Sequence, residues 1–455
     1  MHMNNICKIS IILIALLHVF KMFVTAISLP LLFFLTLLLL IFGFPLQGKG
    51  FRKITLFFLL TGAAILAYYQ MPPDAWMQSL VSMTNVIAII AVMQLFTLPI
   101  EIGGYSRTVG YWLRKSFKKE SSLFFFSMAV THVFSSFLLF GTVPVMVSLF
   151  SGALKDNIPN YKRFLAAAIV RGYAMAIFWT PGAVIMLLAL QVTNVAWFDL
   201  FLPGFLLSQL GLFTSYLFEH FTRLNRPISS TVKSQEASPE ETLLAYRQSA
   251  HIVLVVLGLL ILVAFFEFFA LGSGTGRILL AGLIVTGLWL LYYRNHAQLG
   301  GALFRHWESG IAKAVDLSVL FVAMGLFAGA VDHSGILIQF QPAMQNWVNQ
   351  LGLVSIVVIP LIYILLAITG IHPFILIVIL GKILTALSLP LSPVSIALLL
   401  LLASSVSFIV SPFAGMVLMT AKFLNVRPMD VAIKWNAAFC LLFLVEGIIF
   451  ACLWK

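Results

Sequence analysis

Charged side chains are what this sequence has least of. They make up 9% of its 455 residues, where a water-soluble surface needs about a quarter. An ordinary soluble domain is excluded. With 61% hydrophobic residues, the chain is expected to lie in a lipid bilayer, as a multi-pass protein of the cytoplasmic (inner) membrane. Cysteine is nearly absent: Cys7, Cys440 and Cys452 give neither a disulfide framework nor a metal-ligand spacing. There is also no Gly-rich nucleotide loop, no His/Cys cluster and no nucleophile-base arrangement, so no enzyme, metal or cofactor is expected. The 27 basic residues outnumber the 15 acidic ones, yet nucleic acid is not the expected partner. The basic residues sit in short clusters beside apolar runs, where they set orientation across the bilayer.

What the chain does contain is a stretch that occurs twice. Thr180 to Asp199 and Ser411 to Asp430 align without a gap at an offset of 231, matching Pro181 with Pro412, Ala183 with Ala414, Leu187 with Leu418, Asn194-Val195 with Asn425-Val426, and Asp199 with Asp430. At the same offset Met93, Leu95-Phe96 and Gly104 fall on Met324, Leu326-Phe327 and Gly335. At an offset of 229, Gly141-Thr142-Val143-Pro144 falls on Gly370-Ile371-His372-Pro373. Ordered landmarks at nearly one spacing indicate an internally duplicated protein.

Basic loops mark the inside, and crossings need about twenty apolar residues. Residues 1 to 53 hold an N-terminal membrane segment of one or two crossings. The first repeat covers 54 to 220, with a re-entrant hairpin at 121 to 154 that turns at Gly141 to Pro144 and a broken helix at 164 to 193 interrupted at Thr180-Pro181-Gly182. A polar linker at 221 to 250 is expected in the cytoplasm, and a connector at 251 to 270 follows. The second repeat covers 276 to 455, with its hairpin at 352 to 390 and its broken helix at 395 to 424; Ser334 to Gln350, free of Lys and Arg, reads as an outer loop. One connector between two even-numbered sets inverts the second copy. Arg277 and Lys434 fit the charge pattern poorly. The expected fold is therefore all-α and polytopic, two inverted repeats each with a hairpin and a broken helix.

Non-helical backbone at membrane depth is tolerated only where protein buries it or water reaches it. Half-helix starts favour an anionic group, and unwound carbonyls and hydroxyls can coordinate a cation. That is carrier chemistry. Here the chain resembles the ion transporter superfamily, which includes the divalent anion/sodium symporters and the large membrane subunit of TRAP dicarboxylate transporters. Ser411-Pro412-Phe413-Ala414-Gly415 is similar to that subunit's Pro-Pro-x-Gly break, and Phe198-Asp199-Leu200-Phe201-Leu202-Pro203-Gly204 is similar to the segment after its first break. The resemblance implies an elevator-type transport domain on a scaffold that forms a homodimer. The half-helix starts and Arg171 themselves point to a small-molecule organic anion as substrate, moved by secondary active transport with sodium or a proton as coupling ion; the alternatives are a cation/proton antiporter and a non-transporting membrane sensor or scaffold subunit. The hairpin tips depart from the symporters' Ser-Asn-Thr, and the breaks from their Thr-Pro-Pro, which leaves solute and ion open.

The candidate substrate- and ion-binding residues are Gly141, Thr142, Pro144, Arg171, Thr180, Pro181, Gly370, His372, Pro373, Ser411 and Pro412. Arg171, a charge on an apolar helix, is expected either to bind an anion or to pair with a carboxylate such as Glu101 or Glu446. His372 is a candidate proton carrier or a merely hydrogen-bonded loop residue. Thr142, Thr180 and Ser411 offer hydroxyls that act as ligands or bond their own backbone. Asn194 and Asn425 read as caps, and Asp199 and Asp430 as helix starts.

Overall fold

A computed structural model describes residues 2 to 21, 29 to 114, 117, 119 to 138, 142 to 155, 158 to 224, 238 to 293 and 296 to 454. Gly141 and residues 225 to 237 of the expected linker lie outside the described residues. Helices account for the described fold, and no β-strand occurs among those residues. In the first half they are α1 (His2–Phe20), α2 (Leu29–Gly43), α3 (Lys49–Tyr68), α4 (Pro73–Val81), α5 (Thr84–Met93), α6 (Thr97–Gly103), α7 (Ser106–Arg114), α8 (Glu120–Leu138), α9 (Thr142–Lys155), α10 (Tyr161–Ala176), α11 (Val184–Thr193) and α12 (Trp197–Thr222). There follow α13 (Pro239–Phe268), α14 (Gly274–Tyr293), α15 (His296–Arg305), α16 (Ile311–Ser334), α17 (Ile336–Leu351), α18 (Ser355–Ile368), α19 (Pro373–Ala386), α20 (Pro393–Val410), α21 (Gly415–Leu424) and α22 (Trp435–Leu453). Eleven of these helices or helix runs are long and apolar enough to cross a membrane, so the polytopic all-α reading holds. The N-terminal segment resolves into two such helices, α1 and α2.

The chain divides into two compact units. One comprises residues 1 to 103 and 255 to 347, the other 104 to 254 and 348 to 455. In the first unit α16 lies against α2, α3, α4 and α5. Small residues allow this: a Cβ on Gly329 would stand 2.5 Å from Ser79 Cα, and one on Gly62 of α3 would stand 2.9 Å from the Phe327 amide nitrogen. Gly325 and Gly329 form the Gly-x-x-x-Gly spacing that brings membrane helices close, and Ser82 Oγ donates to the Gly325 carbonyl at 3.0 Å. In the same unit Arg277 forms a salt bridge with Glu267 at the α13–α14 turn.

The second unit contains the hairpins and the broken helices. Each hairpin's first arm packs on the first half of its own copy's broken helix, α8 on α10 and α18 on α20. The later half of each broken helix packs on the second arm of the other copy's hairpin, α11 on α19 and α21 on α9. The pairing is that of a twofold. Its centre is visible as well, because Ser405 Oγ donates to the Ala174 carbonyl at 3.0 Å and these two positions are themselves 231 apart.

The repeat is written in the backbone. Asn194 and Asn425 end α11 and α21 in the left-handed conformation, at φ 54° and 51°, as the cap reading expects; Asn tolerates that region better than most side chains. Gly104 and Gly335, also matched, adopt φ 61° and 63°. Asp199 lies in the first turn of α12, and Asp430 accepts both hydrogen bonds of an Arg427 fork at 2.9 Å.

Two stretches expected as loops are helical instead. Ser334 to Gln350 falls largely within α17, a helix on which the large apolar side chains Ile338, Phe340 and Trp347 are exposed. Its counterpart is α7, with Tyr111 buried and Trp112 donating to Ser249 Oγ at 2.9 Å. The linker is shorter than expected, since α13 already begins at Pro239.

Candidate functional site

The two breaks are one turn built twice. Thr180 N donates to Ala176 O at 3.2 Å, Ala183 N to Thr180 O at 3.1 Å and Leu187 N to Ala183 O at 3.0 Å. Shifted by 231, Ser411 N donates to Ser407 O at 2.9 Å, Ala414 N to Ser411 O at 3.1 Å and Leu418 N to Ala414 O at 2.9 Å. Proline at the second position removes one donor and fixes one φ, so the i to i−4 ladder lapses and restarts three residues on. The restart leaves α11 and α21 each with an extended alanine as N-cap, Ala183 and Ala414, and no side-chain cap hydrogen bond. The first amides of a helix have no intrahelical acceptor and carry the positive end of its dipole. Here those amides belong to Val184, Ile185 and Met186, all buried, and to Gly415, Met416 and Val417, of which the last two are buried.

The surroundings of the two breaks differ. At the first, Pro181 is buried and so is every residue from Ile177 to Ala183. Trp179 donates its indole N–H to His132 Nε2 at 3.0 Å, and Trp197 donates to the Trp179 carbonyl at 3.1 Å. Because an indole can only donate, His132 Nε2 is an acceptor. Its Nδ1 therefore carries the proton, donated to the Gly172 carbonyl at 3.3 Å. At the second break Pro412 is buried but Phe413 is exposed. Ser411 Oγ donates to the Ala367 carbonyl at 2.7 Å, tying the break to the second hairpin. Gly370, at φ 108°, turns that tip within 3.5 Å of the Phe413 ring as measured from an added Cβ.

The tip itself is partly accounted for by structure. His372 caps α19 by accepting from the Phe374 amide at 3.2 Å, and its ring stands 4.5 Å from Phe374 and 6.2 Å from Phe408. Pro373 occupies the first helical position, where its missing N–H costs nothing. Tyr363 on the first arm donates to the Pro373 carbonyl at 2.6 Å and shares a 2.7 Å hydrogen bond with Ser404. On the first hairpin, Pro144 lies in the first turn of α9. Of the hydroxyls singled out in the sequence, Ser411 is engaged, whereas Thr142 Oγ1 and Thr180 Oγ1 are buried without a hydrogen-bond partner. An orphaned buried hydroxyl costs about 1–3 kcal/mol, and the hydroxyls of Thr55, Ser79, Ser208 and Thr286 share that condition elsewhere in the chain.

Arg171 is engaged by the protein. It is fully buried; its Nε donates to Asn436 Oδ1 at 2.7 Å, Nη1 to Ser215 Oγ at 3.1 Å and Nη2 to the Trp435 carbonyl at 3.2 Å. Its salt-bridge partner is Glu219, at 3.0 Å and also fully buried, and the Phe439 ring lies 4.3 Å from the guanidinium. Glu219 joins Arg171 to Arg163, which forms a second salt bridge. The carboxylates considered from sequence are committed elsewhere: Glu101 to Arg305 at 2.7 Å, and Glu446 to the Thr214 hydroxyl at 2.8 Å. Neither His132 with Trp179 nor Glu219 announces itself in the sequence, except that Glu219 is the one acid beyond the first turn of an otherwise apolar helix, the usual mark of a buried partner.

No protein-family model matches the chain, and no curated protein matches it by sequence. Its structure is similar to the crystal structure of the YdaH transporter of Alcanivorax borkumensis, with a TM-score of 0.60 over 88% of this chain and 98% of that one at 14% sequence identity. MtrF of Neisseria gonorrhoeae, described as illuminating a class of antimetabolite efflux pumps, gives a TM-score of 0.48 over 80% of each chain, also at 14% identity. The likeness to YdaH identifies a helical, multi-pass membrane fold of a kind that a transporter uses.

Proposed function

We propose that the chain is a secondary active transporter, a carrier rather than an enzyme, that moves a small organic anion by alternating access with sodium or a proton as coupling ion. The observation that carries this reading is the pair of matched breaks, where two helices restart at buried positions without side-chain caps. Such starts favour a carboxylate or similar anion. The orphaned hydroxyls of Thr142 and Thr180 supply oxygen ligands suited to a hard cation such as sodium. Arg171 is not needed as an anion ligand in this reading; it holds α10 in place. Membership of the ion transporter superfamily, resembled through short motifs, is part of the same proposal.

The division of the chain supports an elevator-like mode. Both hairpins and both broken helices fall in one compact unit, whereas α3 to α6 and α14 to α16 fall in the other, as a moving transport domain and a fixed scaffold would require. A homodimeric scaffold in the cytoplasmic membrane completes the proposal. The test is reconstitution into vesicles with imposed sodium or proton gradients, followed by uptake of labelled mono- and dicarboxylates. Gradient-driven accumulation that falls when Thr180 is replaced by Val supports the reading. No anion flux under either gradient, together with proton release on adding sodium, would replace it with cation/proton exchange.

A further inference from the structure

Away from the breaks, the second unit holds a cavity of about 370 Å³ at the start of α10, lined by Glu120, Asn160, Arg163, Arg223, Lys434 and Trp435 together with neighbouring apolar atoms. The sixteen residues of α10 place about 24 Å between its two ends, so this cavity is separate from the break at Thr180. Three cations face one carboxylate here. Glu120 is buried in the first turn of α8, where it opposes the positive end of its own helix. Arg223 and Lys434 are exposed. Arg163 spends one guanidinium nitrogen on Glu219, and its Nε is buried without a partner. Asn160, at the N-cap of α10, makes no side-chain cap hydrogen bond, so the amides of that first turn add their partial positive charge.

We propose that this cavity is a binding site for a phosphate-type oxyanion, either the headgroup of an anionic phospholipid or free inorganic phosphate. Arg163, Arg223 and Lys434 line the cavity together, and forked guanidinium donors suit a tetrahedral phosphate. Basic pockets between membrane helices are where lipid phosphates bind. The cavity borders Trp435, whose carbonyl accepts from Arg171, and Arg163, which shares Glu219 with Arg171. An anion bound there draws on the same charge network that fixes α10, so occupancy stabilises the first half of the broken helix. The inference does not depend on which solute is transported.

The test uses the full chain in phosphatidylcholine nanodiscs and reads thermal midpoint and calorimetric binding. One arm adds inorganic phosphate, with ionic strength held constant by chloride; the other replaces part of the phosphatidylcholine with phosphatidylglycerol. The comparison protein is the double variant Arg223→Gln, Lys434→Gln, which changes two exposed side chains and leaves the buried pair intact. A saturable rise in midpoint in either arm, weakened about tenfold or more in the double variant as expected for lost charged hydrogen bonds, supports the site. A response to phosphate alone assigns it to a free anion, and a response to the lipid alone assigns it to a headgroup. The proposal is overturned if neither arm exceeds the chloride control, or if the double variant responds as the parent does.

Discussion

The first and second breaks share their backbone hydrogen bonds and differ in everything around them. The first is enclosed, with Trp179 held by His132 and by Trp197 from α12. The second has an exposed Phe413 and a hydrogen bond from Ser411 to Ala367, on the first arm of its own hairpin. Duplication preserves the turn because proline and the extended alanine dictate it locally; the side-chain shell is free to diverge. The difference teaches that the first break presents an enclosed wall of side chains and the second an open side at Phe413.

The buried ion pair gives the sharpest test of that contrast, because Arg171 has Leu402 at its matched position, 231 residues on. Arg171→Leu installs the second copy's residue in the first. It leaves Glu219 short of a buried partner and is expected to cost about 3–5 kcal/mol, measured as a fall in thermal midpoint of the purified protein. Adding Glu219→Gln to Arg171→Leu is expected to recover part of that loss, since the remaining group is then neutral.

Next in size is Gly204→Ala. A Cβ there would collide with the carbonyl oxygen of Phe178, so α12 must retreat from the first break, at about 1–3 kcal/mol. Gly370→Ala tests the second copy. Its φ of 108° is strained for any other residue and costs about 1–3 kcal/mol, but the tip is exposed and the loss should stay local. Hydrogen exchange separates the two outcomes: protection falls across 177 to 183 in the first variant and only across 369 to 374 in the second.

A comparable effect is expected from His132→Leu, which leaves the buried Trp179 indole without its acceptor and costs about 1–3 kcal/mol. Ser411→Ala, which removes the bond to Ala367, should cost about as much and release the second tip. Last, cysteine substitution in a background lacking Cys7, Cys440 and Cys452 reads accessibility directly. Phe413→Cys is expected to react with a small thiol reagent at least about tenfold faster than Ala183→Cys, because attack requires an exposed thiolate. Equal rates would erase the distinction between wall and open side.

The breaks, the arms of the hairpins and the paired asparagines were legible in the sequence because each is set by residues adjacent in the chain. Proline two positions into the repeat, glycine at the tip and asparagine at the end act within one turn. The partners of Arg171 were not legible. Glu219 is 48 residues away on another helix, and Asn436 and Trp435 lie farther still, so only packing reveals them. Nor did a chain of Leu and Phe distinguish Trp179 and Trp197 as the pair that closes the first break. The helix at 336 to 351 left a clearer trace: Ile336, Phe340, Met344 and Val348 recur every four residues, but the absence of Lys and Arg made the segment read as an outer loop.

A duplicated architecture normally holds its joints in pairs, so that damage to one leaves a sister joint in place. The Ser405 hydroxyl resting on Ala174 is different, because the position meets its own image and the chain can make that junction a single time. No spare exists for it, and it runs in one direction only, since alanine cannot return the bond. At its very centre, then, this otherwise mirrored design has already chosen a front and a back.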